Sequence, residues 1–284
     1  MKTKLCLGVG KSFGLPPAEQ IQLFRKTGFD GFFIEWEKGI DLQAIRACAD
    51  KWGMIFQSVH APFWQARCMW YPHERTEEGL QELLACVEDS AVCNVPIVVM
   101  HAFIGFDDHE PNQMGIENFR KVVERAKELG VKIAFENTEG EEYLAALMDA
   151  FKDYDNVGFC WDTGHEICYN RSKDMTALYG NRLIATHLND NLGISASDGT
   201  ITWLDDLHLL PFDGVADWQN IVDRLEDCGF DGLYTLELTT ASKPDRHEND
   251  AYAAMPIEEY VAEVYARAKK IIVLKEKRKE ENIV

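Results

Sequence analysis

The chain alternates two kinds of segment. Short, nearly unbroken apolar runs, such as Ile97-Val98-Val99-Met100 and Ile133-Ala134-Phe135, are each followed by a longer stretch with helix-like boundaries. Strands buried on both faces read this way in parallel sheets. The pattern predicts strands at 4–9, 31–36, 55–60, 96–101, 132–136, 157–162, 183–187 and 233–238. It predicts helices at 17–27, 42–52, 76–94, 113–129, 141–151, 172–179, 218–228 and 257–275. Pro17 opens the first helix, and Gly28, Gly53, Gly130 and Gly229 stand where helices should stop. Such alternation builds either a barrel or an open doubly wound sheet. Eight units in 284 residues, near the roughly 250 of a typical (β/α)8 barrel, favour one α/β TIM-barrel domain over 1–284. The charged end, 275–284, is expected to fray.

Composition narrows the partners. The chain carries 29 basic and 48 acidic residues, a net charge of −19. Nucleic-acid binding depends on Lys and Arg displacing counterions, so this balance argues against DNA or RNA. No run of about 18 apolar residues occurs, so no membrane span is expected. The first ten residues hold an apolar stretch broken by Gly8 and Gly10, which makes a poor secretory signal and a good first strand. Gly8-Val9-Gly10 is not extended into a dinucleotide-binding G-x-G-x-x-G. Eight scattered cysteines without a C-x-x-C pair read as reduced, mostly buried thiols of a cytoplasmic protein.

The ionisable residues change the picture further. In barrels of this kind the reactive groups sit at the carboxyl ends of the strands. His60 ends the third predicted strand, His101 the fourth and Glu136 the fifth. Asp162 ends the sixth, with His165 three residues on; His187 ends the seventh, and Glu237 lies near the end of the eighth. One such residue is ordinarily a hydrogen-bonded structural group. Six successive strands aiming His, Asp or Glu at one rim is different, because unpaired charge in a barrel mouth is costly. A shared divalent cation removes that cost. Mixed carboxylate and imidazole donors suit Mn, Zn, Co, Ni or Fe better than Ca, with Mg also open.

Phe135-Glu136-Asn137, Trp161-Asp162-Thr163-Gly164-His165, His187-Leu188-Asn189-Asp190 and Leu236-Glu237-Leu238 resemble segments of the xylose isomerase-like TIM-barrel superfamily. That superfamily includes ketose 3-epimerases, hydroxypyruvate isomerase, inosose dehydratase and endonuclease IV. The resemblance covers nearly the whole chain. It implies a metal held by Glu136, Asp162, His187 and Glu237, with Glu136 and Glu237 as the catalytic acid/base pair. It also implies that His165 holds a substrate hydroxyl and that Glu142, six positions after Glu136, binds substrate. His60, His101, Asp206, His208 and Trp64 complete the expected substrate-binding set. The chemistry suits these residue types. A carboxylate removes a proton beside a carbonyl, and a cation offsets the charge of the resulting enediolate. Returning the proton to the opposite face is epimerisation; returning it to the adjacent carbon is isomerisation.

A second reading uses the same residues. Endonuclease IV binds three zinc ions, and His60, His101, Glu136, Asp162, His165, His187, Asp206, His208 and Glu237 match its nine ligand positions in order. The charge of −19 and the few Arg and Lys in the strand-end loops count against a DNA backbone as ligand. A Pro-Phe at 211–212 replaces the Pro-Gly common in this loop of the sugar enzymes. A third reading is a non-catalytic sugar-binding barrel, which the intact ligand set disfavours. The expected substrate is therefore a small keto-sugar or polyol, unphosphorylated. Phe13, Trp36, Phe63, Trp64, Trp70 and Trp203 lie in or near the strand-end loops, and Trp64 and Trp70, with Arg67 between them, are the expected lid. A homodimer is the default assembly.

Overall fold

The computed structural model describes residues 3–107 and 110–281. Among them, eight parallel strands form one sheet: β1 (Leu5–Val9), β2 (Gly31–Glu35), β3 (Ile55–His60), β4 (Ile97–His101), β5 (Lys132–Glu136), β6 (Val157–Asp162), β7 (Leu183–His187) and β8 (Tyr234–Leu236). The order β7-β6-β5-β4-β3-β2-β1-β8 brings the two sequence-late strands to the edges, where they meet. Leu188 N donates to Thr235 O at 2.7 Å and Glu237 N donates to Leu188 O at 3.3 Å. The Thr186 hydroxyl also accepts from Thr235 N at 3.2 Å. A (β/α)8 barrel results.

The helices are α1 (Pro17–Thr27), α2 (Leu42–Trp52), α3 (Trp64–Cys68), α4 (Thr76–Val92), α5 (Gln113–Leu129), α6 (Glu141–Ala150), α7 (Thr163–Cys168), α8 (Met175–Tyr179), α9 (Trp218–Asp227), α10 (Asp250–Ala253) and α11 (Ile257–Glu281). Local chemistry explains the sharp boundaries. Asn112 caps α5 by accepting from Gly115 N, and Gly130 ends it at φ +72°, a left-handed conformation that glycine adopts without strain. Among the described residues, no helix is long and apolar enough to cross a membrane.

Two features differ from the sequence reading. The short helices α3, α7 and α10 were not expected, because four to six residues cannot display a helical period. The expected fraying from residue 275 is wrong as far as Glu281, where α11 ends. Lys275 is buried, with its ammonium 2.7 Å from Glu226 and 4.7 Å from the Tyr234 ring centroid. Arg278 bonds the Asp223 carbonyl and Asp227 of α9. Residues 282–284 lie outside the described residues.

The core has two layers. Outward-facing strand residues such as Val98, Ile133, Phe135, Phe159 and Leu236 pack against the helices. Inside the barrel, Val99, Ala134, Cys160 and Ala185 form a separate cluster of small side chains. Side chains two residues apart share a strand face. The residues two positions beyond these four are His101, Glu136, Asp162 and His187. The small inner residues thus fill the barrel axis, and the next inward position on each strand opens into the mouth.

Candidate metal centre

Glu136 is the hub. It is fully buried at the end of β5, and three imidazoles converge on its carboxylate. His187 Nδ1 lies 2.6 Å from Oε1, and His60 Nε2 and His101 Nε2 each lie 3.2 Å from Oε2. His187 Nδ1 also lies 3.1 Å from Glu237 Oε2, so one ring nitrogen faces carboxylates from β5 and from just beyond β8. Asp162 completes the set from the end of β6. The donor atoms of Glu136, Asp162, His187 and Glu237 all fall within 4.8 Å of one another.

Neighbouring groups fix this geometry. Asp162 Oδ1 accepts from His165 N at 2.6 Å, capping α7, and Oδ2 accepts from Asn189 Nδ2 at 2.7 Å. Asn137 Oδ1 accepts from Asp162 N and its Nδ2 donates to Asp162 O, both at 2.8 Å. Gly164 leaves the space that the Asn189 amide occupies; a Cβ there would strike Asn189 Oδ1. Asp190 is structural. It accepts from the backbone of Asn191, Phe212 and Ala216 and from the Trp218 indole, which ties down the long loop after β7.

That loop returns Asp206 and His208 to the same mouth. His208 Nε2 lies 3.0 Å from Asp206 Oδ1, and its Nδ1 donates to the Glu237 carbonyl at 3.3 Å. His165 Nε2 lies 3.3 Å from Asp206 Oδ1. The nine His, Asp and Glu residues therefore gather around one mouth. Three of the groups able to hold a cation are His60–His101–Glu136, Glu136–Asp162–His187–Glu237 and His165–Asp206–His208.

The electrostatics suit a cation. Burial pushes Asp162 up to about 6, only partly offset by His165. Burial also works against Glu237, but His187 and His208 hold it down at about 2. Glu136 is held well below the ordinary carboxylate range, because His187, His101 and His60 outweigh its burial. Burial lowers His208, yet Asp206 overrides this and raises it to about 9. The ring tautomers sharpen the point. His60 Nδ1 donates to the Ala61 carbonyl at 2.7 Å, so in the neutral ring Nε2 carries a lone pair aimed at Glu136 Oε2. Two lone pairs that face each other in a buried site need a proton or a metal ion between them. Three carboxylates and imidazole nitrogens in one pocket fit a divalent cation.

The other expected residues divide. Trp64 is 71% exposed on α3 and leans on Phe63, whose ring stacks 5.5 Å from His101. Trp70 is not part of a lid. It is fully buried, donates from Nε1 to the Ala102 carbonyl at 2.8 Å and sits where a Cβ on Gly115 would be. Phe13 and Trp36 are core residues, and Trp36 Nε1 donates to Asp89. Glu142 is half-buried in the first turn of α6 and belongs to none of these cation-holding groups. Three residues at the mouth had no sequence signal. Glu139 is buried and accepts from Gly105 N, and burial raises its carboxyl. The Tyr169 ring lies 5.1 Å from His165, and Lys243 Nζ lies 3.7 Å from Asp206 Oδ2. Each comes from a loop with no periodicity to mark it.

Comparison with known proteins places this site in context. Residues 20–258 match the family described as xylose isomerase-like TIM barrel. The uncharacterised protein y4fM of Sinorhizobium fredii is 30% identical over 68% of this chain. The chain spans 64% of that relative's length, and 45% of a xylose isomerase-like TIM barrel/4-hydroxyphenylpyruvate dioxygenase fusion protein whose structure it resembles. The IolI protein with a bound zinc atom superposes with a TM-score of 0.72 at 18% identity, covering 96% of this chain and 98% of that one. D-psicose 3-epimerase of Clostridium cellulolyticum H10, solved with D-tagatose, superposes with a TM-score of 0.69 at 15% identity, covering 93% and 98%.

Proposed function

Since the chain belongs to the xylose isomerase-like TIM-barrel family, we propose that it is a divalent-metal-dependent isomerase or epimerase of a small keto-sugar or polyol. One observation carries this reading. Glu136 and Glu237 bring carboxylate oxygens to 2.6 and 3.1 Å of the same nitrogen, His187 Nδ1, from strands three places apart around the barrel. Two carboxylates facing one small volume are what proton removal and proton return require. The zinc in the IolI structure and the D-tagatose in the psicose epimerase structure support it from outside.

Glu136, Asp162, His187 and Glu237 would hold the metal. A divalent cation, when bound, supplies positive charge that offsets the enediolate's negative charge. Glu237, the more exposed of the two glutamates, takes or returns the proton from the open side of the mouth. Glu136 acts from the buried side, where His60 and His101 set its charge. His165, Asp206 and His208 present donors and acceptors that orient substrate hydroxyls. The partner is a small sugar, with neither nucleic acid nor membrane involved. Incubating the metal-loaded protein with a ketose panel in D2O tests this. Deuterium should enter at the carbon beside the carbonyl, and its absence from every ketose would refute the reading.

The trinuclear phosphodiesterase reading has the three donor groups in its favour. Lys243 opposes it, because an ammonium 3.7 Å from Asp206 repels a cation in the His165–Asp206–His208 group. Metal analysis decides between them: one ion per chain agrees with the sugar enzyme, and three zinc ions agree with the nuclease.

A further inference from the structure

Lys243 lies in the loop between β8 and α10, in a segment without apolar pattern. Its backbone is held in place. Lys243 N donates to Glu248 Oε1 at 3.0 Å, and its carbonyl accepts from Arg246 N at 3.0 Å. On one side of it Thr240 bonds the Ser12 hydroxyl and carbonyl; on the other, buried Asn249 bonds Ser242 Oγ and the Ala241 carbonyl. The side chain crosses to the mouth, where its ammonium lies 3.7 Å from Asp206 Oδ2 and 5.4 Å from the centroid of Trp203.

That contact does not use the ammonium up. A separation of 3.7 Å is too long for a hydrogen bond. Asp206 is already engaged by His165 and His208. A lysine carries three donors, and none of them has a hydrogen-bond acceptor among the described residues. Arg246 is committed elsewhere, to the Leu204 carbonyl and to Asp205 and Glu248. The Lys243 ammonium therefore stands beside Asp206 with its donors unspent. Beside it is the Trp203 ring, 52% exposed and able to cover the C–H face of a sugar.

Building on the sugar-isomerase reading, we propose that Lys243 is a specificity residue that grips a carboxylate on the substrate, so that the preferred ligand is a sugar acid. One ammonium without a free guanidinium beside it matches a monoanion better than a phosphate dianion, which is ordinarily held by several donors.

The test uses the full chain loaded with Mn2+. Calorimetry compares D-glucuronate, 2-keto-D-gluconate and 5-keto-D-gluconate with D-glucose, D-fructose and L-sorbose, and D-fructose 6-phosphate serves as the phosphate probe. At least one acid should bind ten-fold or more tighter than its neutral counterpart, with the advantage shrinking as salt rises. Lys243→Met should abolish the advantage while leaving the neutral sugars within about two-fold, and Lys243→Arg should restore most of it. A purely structural lysine would weaken acids and neutral sugars alike, and that result would overturn the proposal. So would equal binding of acid and neutral sugar by the unaltered chain, tightest binding of the phosphate, or no binding of any acid. Deuterium uptake from D2O is read separately, so a protein that grips acids without exchanging protons would sink the isomerase reading and leave Lys243's role intact.

Discussion

At the scale of single residues the site is a balance between burial and charge. Glu136 is completely buried, and a carboxylate there is tolerable only because three imidazoles face it. Glu237 has fewer partners and more access to the mouth, so the two glutamates respond differently to the same substitution. Glu237→Gln should lower the turnover of an exchanging ketose about 100- to 10,000-fold. Metal content measured on the same sample separates loss of the base from loss of the cation. Gly164 offers a second test. Alanine there would push the Asn189 amide away from Asp162, so Gly164→Ala should destabilise the protein by about 1–3 kcal/mol. It should also weaken metal affinity about 10- to 100-fold, because Asn189 positions Asp162, a proposed ligand. Denaturant unfolding and metal titration read the two effects, and an unchanged affinity would refute the link.

At the scale of elements, the strands carry both core and chemistry on one face. Val99 with His101, Ala134 with Glu136, Cys160 with Asp162 and Ala185 with His187 are pairs two residues apart, one filling the axis and the next opening into the mouth. The connection after β3 shows how a loop splits its aromatics between packing and surface. Trp70 is locked against α5 by Gly115 and bonded to the Ala102 carbonyl, whereas Trp64 lies mostly in solvent. Trp70→Ala should therefore cost about 3–5 kcal/mol. Trp64→Ala should stay within about 0.5 kcal/mol of the unaltered chain and, if Trp64 contacts substrate, raise KM. Equal destabilisation by the two would contradict this division. Sequence could not separate them, since both are tryptophans in one aromatic-rich segment, and burial is settled by what α5 presents.

At the scale of the whole molecule, the proposed cation would offset part of the carboxylate charge gathered at the barrel mouth of a chain of net charge −19. Removing metal with a chelator should lower the melting temperature, and restoring Mn2+ or Zn2+ should raise it. A ligand at 100 times its Kd adds about 2.7 kcal/mol to the folded state. A melting temperature indifferent to chelation would count against a resident cation. The −19 belongs to the whole surface and says little about any one spot. Lys243 is the local exception that a net count conceals.

Most of the architecture was legible in the chain itself. Six of the strand ends and the main helices follow from apolar runs and from boundary residues such as Pro17, Gly53 and Gly130, because these are properties of adjacent positions. The His, Asp and Glu at the strand ends were legible for the same reason, as each directly follows its apolar run. The remainder needed the closed barrel. Hydrophobic periodicity marks what faces the core, and the residues that close a mouth face neither core nor a repeating neighbour. Glu139, Tyr169 and Lys243 reach the site from irregular loops, Trp70 leaves it for the core, and residues 275–281 become helix by pairing with Glu226, Asp223 and Asp227 on α9. Local order along the chain determined which residues form each strand and what chemistry each strand end carries. Contacts between residues far apart in sequence decided which of the loop residues share one mouth.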